Sequence, residues 1–363
     1  MDSPKKIVAK YEIGYTQFLD PSGKLNYPLP LSLQENPLLI EMYQAMVRTR
    51  VFDAKAILLQ RTGQLGTYPS ILGQEAIGVG IGAAMDEHDV FCPYYRDLGT
   101  QFWRGVKMAE ILLYWGGDER GSCFANNPQD FPICVPVASQ TLHAVGVATA
   151  FKLRNEARAV VTTIGDGGTS RGDFYESLNV AGVWQLPLVL VINNNQWAIS
   201  VPRNKQTFTA TLAEKGIAAG ILGQQVDGND VIAVFHAVQE GIQRAKQGGG
   251  PSLIEAMSYR MSDHTTADDA KRYRLASEVE AHRLEDPIAR LKHYLMSGQK
   301  WNETDETNLQ EKAKAEVDNA VEEYLRIEPN APSVMFDSLY ATLPRALESQ
   351  RQEVLHGIKS KNE

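Results

Sequence analysis

The stretch "VVTTIGDGGTSRGDFYESL", Val160 to Leu178, decides the fold. It opens with the β-branched residues of a buried strand and closes in a pattern of helical spacing. Between the two lies a glycine-rich turn carrying one acid, Asp166. Downstream, "LPLVLVINN" (186–194) is another short apolar run ended by turn residues, as parallel strands tend to be. "DFYESLNVAGVWQ" (173–185) reads as the helix joining them, which makes a βαβ unit. A third strand is expected at "SLIEAMSYR" (252–260), after the helix "DVIAVFHAVQEGIQRAK" (230–246).

Strands alternating with helices predict an α/β fold, a doubly wound and mainly parallel sheet flanked by helices. Ligands of such sheets sit at the carboxyl ends of the strands, where Gly165, Asn193 and Arg260 fall. Apolar residues also recur at helical spacing in "PLLIEMYQAMVRTRVFDAKAILLQR" (37–61), "AEILLYWGG" (109–117) and "SQTLHAVGVATAFKLR" (139–154).

Three segments are expected. Residues 1–36, with "DPSGKLNYPLPL", read as an extended arm. Residues 37–300 form the α/β domain. Residues 301–363 form a charged helical tail packed on that domain or on a partner, whose charge pattern fits a solvated face.

The chain of 363 residues has 43% hydrophobic and 22% charged residues and a net charge of -8, with no long basic run, which excludes a nucleic-acid binder. Its longest apolar run is far too short to span a bilayer. The N-terminus lacks the apolar core of a signal peptide. Cys92, Cys123 and Cys134 match no zinc or redox spacing. These features predict a cytoplasmic protein in a reducing compartment.

The glycine turn admits three readings. Gly168-Thr169-Ser170-Arg171-Gly172 matches the G-x-S-x-G elbow of serine hydrolases, with Ser170 as nucleophile and His264 as base. The elbow should follow its strand directly, however, and here Gly165 to Thr169 intervene. A nucleotide loop is the second reading. There is no P-loop, and "GVGIGA" (78–83) lies in a helical run with no strand before it, so close helix packing explains it better.

The third reading joins the two strand ends. Asp166 and the Asn193-Asn194-Asn195 run lie on adjacent loops of one βαβ unit, with Asp166 and Asn195 29 positions apart. Gly167 and Gly168 allow backbone N–H groups to approach a phosphate at a helix N-terminus. A carboxylate and amide oxygens are hard ligands suited to Mg2+ shared with that phosphate.

This pairing resembles the thiamine-diphosphate motif. With "RTGQLGTYPSILGQEA", "PYYRDLG", "VINNNQWAIS" and "YRMSDHTTADDAKRYR", the chain from about Met42 to Arg274 is similar to alpha subunits of the decarboxylating component of 2-oxo acid dehydrogenase complexes. It looks most like the bacterial pyruvate dehydrogenases. Branched-chain 2-oxo acid dehydrogenase and acetoin dehydrogenase are the close rivals.

The resemblance implies thiamine diphosphate and Mg2+ as cofactors. It assigns the metal to Asp166, Asn195 and the carbonyl of Trp197, and the diphosphate to Gly167, Gly168, Tyr95 and Arg96. Val137, with Val135 as a weaker neighbour, matches a position whose backbone meets the aminopyrimidine. Arg260 and His264 fall in the loop that orders over the cofactor, and His264 is expected to assist acyl transfer to a lipoyl group as the catalytic residue.

Two positions depart from relatives. Pro69 stands where some have His, and Thr265 stands where the family's regulatory serine lies. The Glu that activates the cofactor is expected on a beta subunit, not at Glu75 or Glu176. The implied partners are that beta subunit, in an α2β2 heterotetramer, a lipoyl-bearing acyltransferase and a small 2-oxo acid substrate.

Overall fold

The computed structural model describes residues 6–34 and 37–359. In chain order its strands are β1 (Tyr15–Thr16), β2 (Val90–Cys92), β3 (Val160–Gly165), β4 (Leu188–Asn194), β5 (Trp197–Ala198), β6 (Val201–Pro202), β7 (Leu222–Asp227) and β8 (Ser252–Met257). The helices that build the domain are α1 (Leu38–Arg61), α2 (Glu75–Ala84), α3 (Leu98–Trp103), α4 (Met108–Trp115), α5 (Ser139–Arg154), α6 (Gly172–Trp184), α7 (Val231–Lys246), α8 (Ala276–Ala281), α9 (Pro287–Ser297) and α10 (Glu303–Arg326). Two more follow, α11 (Val334–Asp337) and α12 (Arg345–Lys359).

Six strands form one sheet in the order β1-β7-β8-β4-β3-β2, and every pair in it is parallel. Alternation along the central strand sets the layers. Leu188, Leu190 and Ile192 pack with Val145, Phe151, Phe174 and Leu178 of α5 and α6. Val189 and Val191 pack with Ile77, Ile81, Val234 and Val238 of α2 and α7 on the other face. A strand apolar on both faces belongs in the middle of such a sandwich. The doubly wound expectation therefore holds.

The "GVGIGA" run lies inside α2, and its glycines serve close packing. A Cβ on Gly80 would meet Val234 at 2.8 Å, and one on Gly82 would meet Trp103 at 2.7 Å. A further layer covers α2 and α7: Leu19 and Leu33 of the arm join Met42, Met46, Leu291, Leu295 and Leu309 in one apolar cluster. The arm also adds β1 to the sheet edge beside β7.

Two compact units can be told apart, Met1–Val321 and Glu322–Glu363. In the second, α11 and α12 are joined by Arg351 and Asp337, 2.9 Å apart. No helix among the described residues is long and apolar enough to cross a membrane.

Candidate active site

A cleft of about 320 Å³ opens at the carboxyl ends of β2, β3 and β4. Tyr95, Arg96, Val137, Asp166, Gly167, Gly168, Asn195, Trp197 and His264 line it together. Val135 and Arg260 do not. Val135 is half exposed, and Arg260 lies fully buried behind the cleft wall.

The turn after β3 is a single 3-10 segment, Asp166–Ser170, followed by α6. Its glycines are required by space. A Cβ on Gly167 would stand 2.4 Å from the Ala198 Cβ, and one on Gly168 would stand 2.5 Å from Ile164 Cγ1. Asp166 is buried, and burial raises its carboxyl to about 6 despite a hydrogen bond from Gln206 Nε2 to Oδ2 at 2.7 Å.

The three asparagines at the carboxyl end of β4, Asn193 and Asn194 in the strand and Asn195 just after it, divide their work. Asn193 donates to Tyr94 Oη at 2.9 Å and accepts from Ser258. Asn194 donates to Glu255 and caps the backbone of Gln196. Asn195 reaches the cleft, donating to Gln74 Oε1 at 3.1 Å, while its own Oδ1 accepts from the Trp197 N–H at 3.3 Å. The chain turns here through left-handed backbone at Gln196 (φ 71°) and Ile199 (φ 53°). Such conformations cost about 1–3 kcal/mol each and persist only where neighbours over-determine them. Arg260 does this, donating to the carbonyls of Trp197 at 3.3 Å and Ile199 at 2.8 Å.

Arg96 is buried, and its fork bonds the Ser70 carbonyl at 2.5 Å and the His264 carbonyl at 2.5 Å. Asp53 of α1 holds the Ser70 segment in place, accepting from Tyr68, Ser70 and the Ile71 N–H. The His264 ring places Nδ1 3.1 Å from Arg96 Nη2 and 3.4 Å from Arg260 Nη1. A guanidinium only donates, so Nδ1 is the unprotonated acceptor and the ring proton sits on Nε2. Burial, then the Arg96 and Arg260 charges, lower His264 to about 3. Its imidazole is neutral at physiological pH, with Nε2–H as the ring's donor.

The donor chemistry fits Mg2+. A carboxylate, an amide oxygen and a backbone carbonyl are all hard oxygen ligands, and the buried Oε1 of Gln206 beside them lacks a partner. Gly167 and Gly168, whose Cβ positions are filled by Ala198 and Ile164, let the turn pack tightly against its neighbours at the N-terminal side of α6.

Ser170 is exposed and lies outside the cleft, while His264 is engaged by Arg96 and Arg260. The nucleophile elbow is thus not formed. Pro69 is buried and outside the cleft, and Thr265 shapes its loop by accepting from the Ala267 N–H. Glu75 is buried against Arg50 at 2.7 Å, and Glu176 is exposed on α6.

Sequence reasoning missed Gln74, Gln140 and Gln206. Gln140 lines the cleft and donates to the Thr163 carbonyl at 2.7 Å. None carries a spacing signal, since a single amide in a loop or at a helix start looks like any other.

Comparison with known proteins identifies the family. The sequence profile described as "Dehydrogenase E1 component" matches residues 43–331. A protein of Acholeplasma laidlawii named "Pyruvate dehydrogenase E1 component subunit alpha" is 40% identical over 346 residues, covering 94% of this chain and all of its own length. A Staphylococcus aureus protein of the same name is 38% identical over 344 residues, covering 94% of this chain and 92% of its own. One from Staphylococcus epidermidis is 37% identical with the same coverage. The chain belongs to the dehydrogenase E1 component family.

Proposed function

We propose that this chain is the alpha subunit of a pyruvate dehydrogenase E1 component, an oxidoreductase that decarboxylates pyruvate and passes the acetyl group to a lipoyl disulfide. The observation that carries this reading is the meeting of Asp166 and Asn195 with Arg96 and His264 in one cleft, in a chain so similar to proteins of that name. The same names favour pyruvate over branched-chain 2-oxo acids and acetoin.

Asp166, Asn195 and the Trp197 carbonyl would hold Mg2+, and the Gly167 and Gly168 backbone would receive the diphosphate. Tyr95, Arg96 and Val137 line the same cleft, Val137 with its Cγ1 3.2 Å from where a Cβ on Gly168 would stand. Thiamine diphosphate, when bound, supplies the electron sink for loss of carbon dioxide. This chain contributes binding, orientation and the neutral His264 donor, which is suited to an oxygen that gains negative charge.

Among the described residues, no Glu lines the cleft, which fits an activating Glu supplied by a beta subunit. Exposed apolar side chains rim the site and its neighbouring helices, among them Val137, Ile199, Val183 and Trp184. Exposed apolar surface of that kind marks an interaction face. An α2β2 assembly and a lipoyl-bearing acyltransferase are the partners of this reading. The three free thiols fit the reducing cytoplasm.

The test is turnover by the chain purified with its partner subunit, given Mg2+, thiamine diphosphate and an artificial electron acceptor. Pyruvate is expected to be preferred over 3-methyl-2-oxobutanoate and acetoin. Preference for either rival would overturn the substrate assignment, and no turnover of any would overturn the reading.

A further inference from the structure

We propose that Gln206 is a positioning residue for the cation site, holding one oxygen of Asp166 and leaving the other for Mg2+, and tying both metal-bearing loops together. This rests on the cofactor reading above. Gln206 follows a 3-10 turn at Arg203–Lys205, just beyond the β5–β6 hairpin that carries Trp197. Its Nε2 donates to Asp166 Oδ2 at 2.7 Å and to the Val201 carbonyl at 3.1 Å. Both amide hydrogens are thereby spent, one on each loop.

The amide cannot be turned round. Reversal would set Oε1 against a carboxylate oxygen and a carbonyl, none of which donates. Oε1 is therefore the atom left over. It is buried without a partner, 3.7 Å from where a Cβ on Gly167 would stand. A buried unpaired acceptor is unfavourable, and such exceptions call for a missing donor. A water bound to a hard cation at the Asp166–Gly167 turn is a donor of the right kind, because divalent cations of this type keep several waters. Gln206 thus has one end that orients a metal ligand and another that accepts from the metal's hydration shell. Partners of this sort typically change metal affinity about 10- to 100-fold when removed.

The test uses the chain purified with its partner subunit. Bound thiamine diphosphate is measured by equilibrium dialysis as Mg2+ is titrated, for the parent, Gln206→Met and Asp166→Ala. Thermal midpoints are recorded without metal. Gln206→Met is expected to raise the half-saturating Mg2+ at least about 10-fold, while Asp166→Ala abolishes the Mg2+ dependence. A parent-like half-saturation in Gln206→Met, with Asp166→Ala still defective, overturns the proposal and leaves the cofactor reading standing. Parent-like binding by Asp166→Ala overturns the cofactor reading itself. Should Gln206→Met lower the metal-free midpoint, Gln206→Asn decides. Its shorter amide keeps the loop polar but cannot span both acceptors, so weaker Mg2+ binding supports the proposal and parent-like binding overturns it.

Discussion

Arg96 holds His264 at two points, donating to its carbonyl at 2.5 Å and meeting its Nδ1 at 3.1 Å through the same Nη2. One guanidinium thus fixes both the loop backbone and the ring tautomer. Lysine offers a point charge on a flexible stem in place of a planar fork. Arg96→Lys therefore leaves at least one buried acceptor unpaired, at a cost of about 1–3 kcal/mol. Calorimetry should show a lower thermal midpoint, and proteolysis should open the loop around residues 260–270. An unchanged midpoint would contradict the role of the fork.

The tautomer makes a second prediction. If His264 serves as a neutral donor through Nε2–H, His264→Gln keeps an N–H donor and should retain more activity than His264→Ala. The alanine variant should lose about 100-fold in turnover, the scale of losing one donor to a developing anion. Equal losses in both variants would instead mark His264 as an acid or base.

Asp97 governs a pH dependence of stability. It accepts from the Tyr94 N–H at 2.8 Å and from Thr163, yet burial raises its carboxyl to about 8. The folded chain keeps a proton that the unfolded chain releases near the ordinary value of 3.8. Its contribution to stability is fully present below that lower value and is lost as pH rises through about 8. Asp97→Asn carries no titrating group, so its thermal midpoint should fall less than the parent's between about pH 6 and 9. Identical slopes would show that Asp97 does not titrate in this range.

Gly167 meets the Ala198 Cβ across the site. Gly167→Ala should destabilise the fold by about 1–3 kcal/mol through overpacking. It should also weaken Mg2+-dependent cofactor binding, because Asp166 and Trp197 stand on the two loops forced apart. Thermal denaturation and cofactor titration of one sample measure both effects. A neutral substitution would mean the turn yields without cost.

The central βαβ unit was legible because β3 and β4 are runs of Val, Ile, Thr and Leu buried on both faces, and α5 and α6 follow helical spacing. β2 and β7 were not. β2 has three residues, and β7 carries Gly223, Gln224 and Gln225. The apolar run Val90–Cys92 is too short to show a period, β7 has the composition of a loop, and only pairing in the sheet defines them. The miss mattered, since β2 carries Tyr95 and Arg96 to the same sheet end as Asp166. In the site, the motif residues came together because the strand ends are adjacent. Arg260 instead serves as a buried brace for the carbonyls of Trp197 and Ile199, a role set by contacts that no spacing encodes.

The central claim is that the two loops of one βαβ unit hold a divalent cation for the cofactor. The most direct measurement is anomalous diffraction from crystals of the complex grown with Mn2+ and thiamine diphosphate. The account predicts a single strong peak per alpha chain, bounded by Asp166, Asn195 and the Trp197 carbonyl. A peak elsewhere in the chain, or density for the cofactor with no metal at these three oxygens, would contradict it.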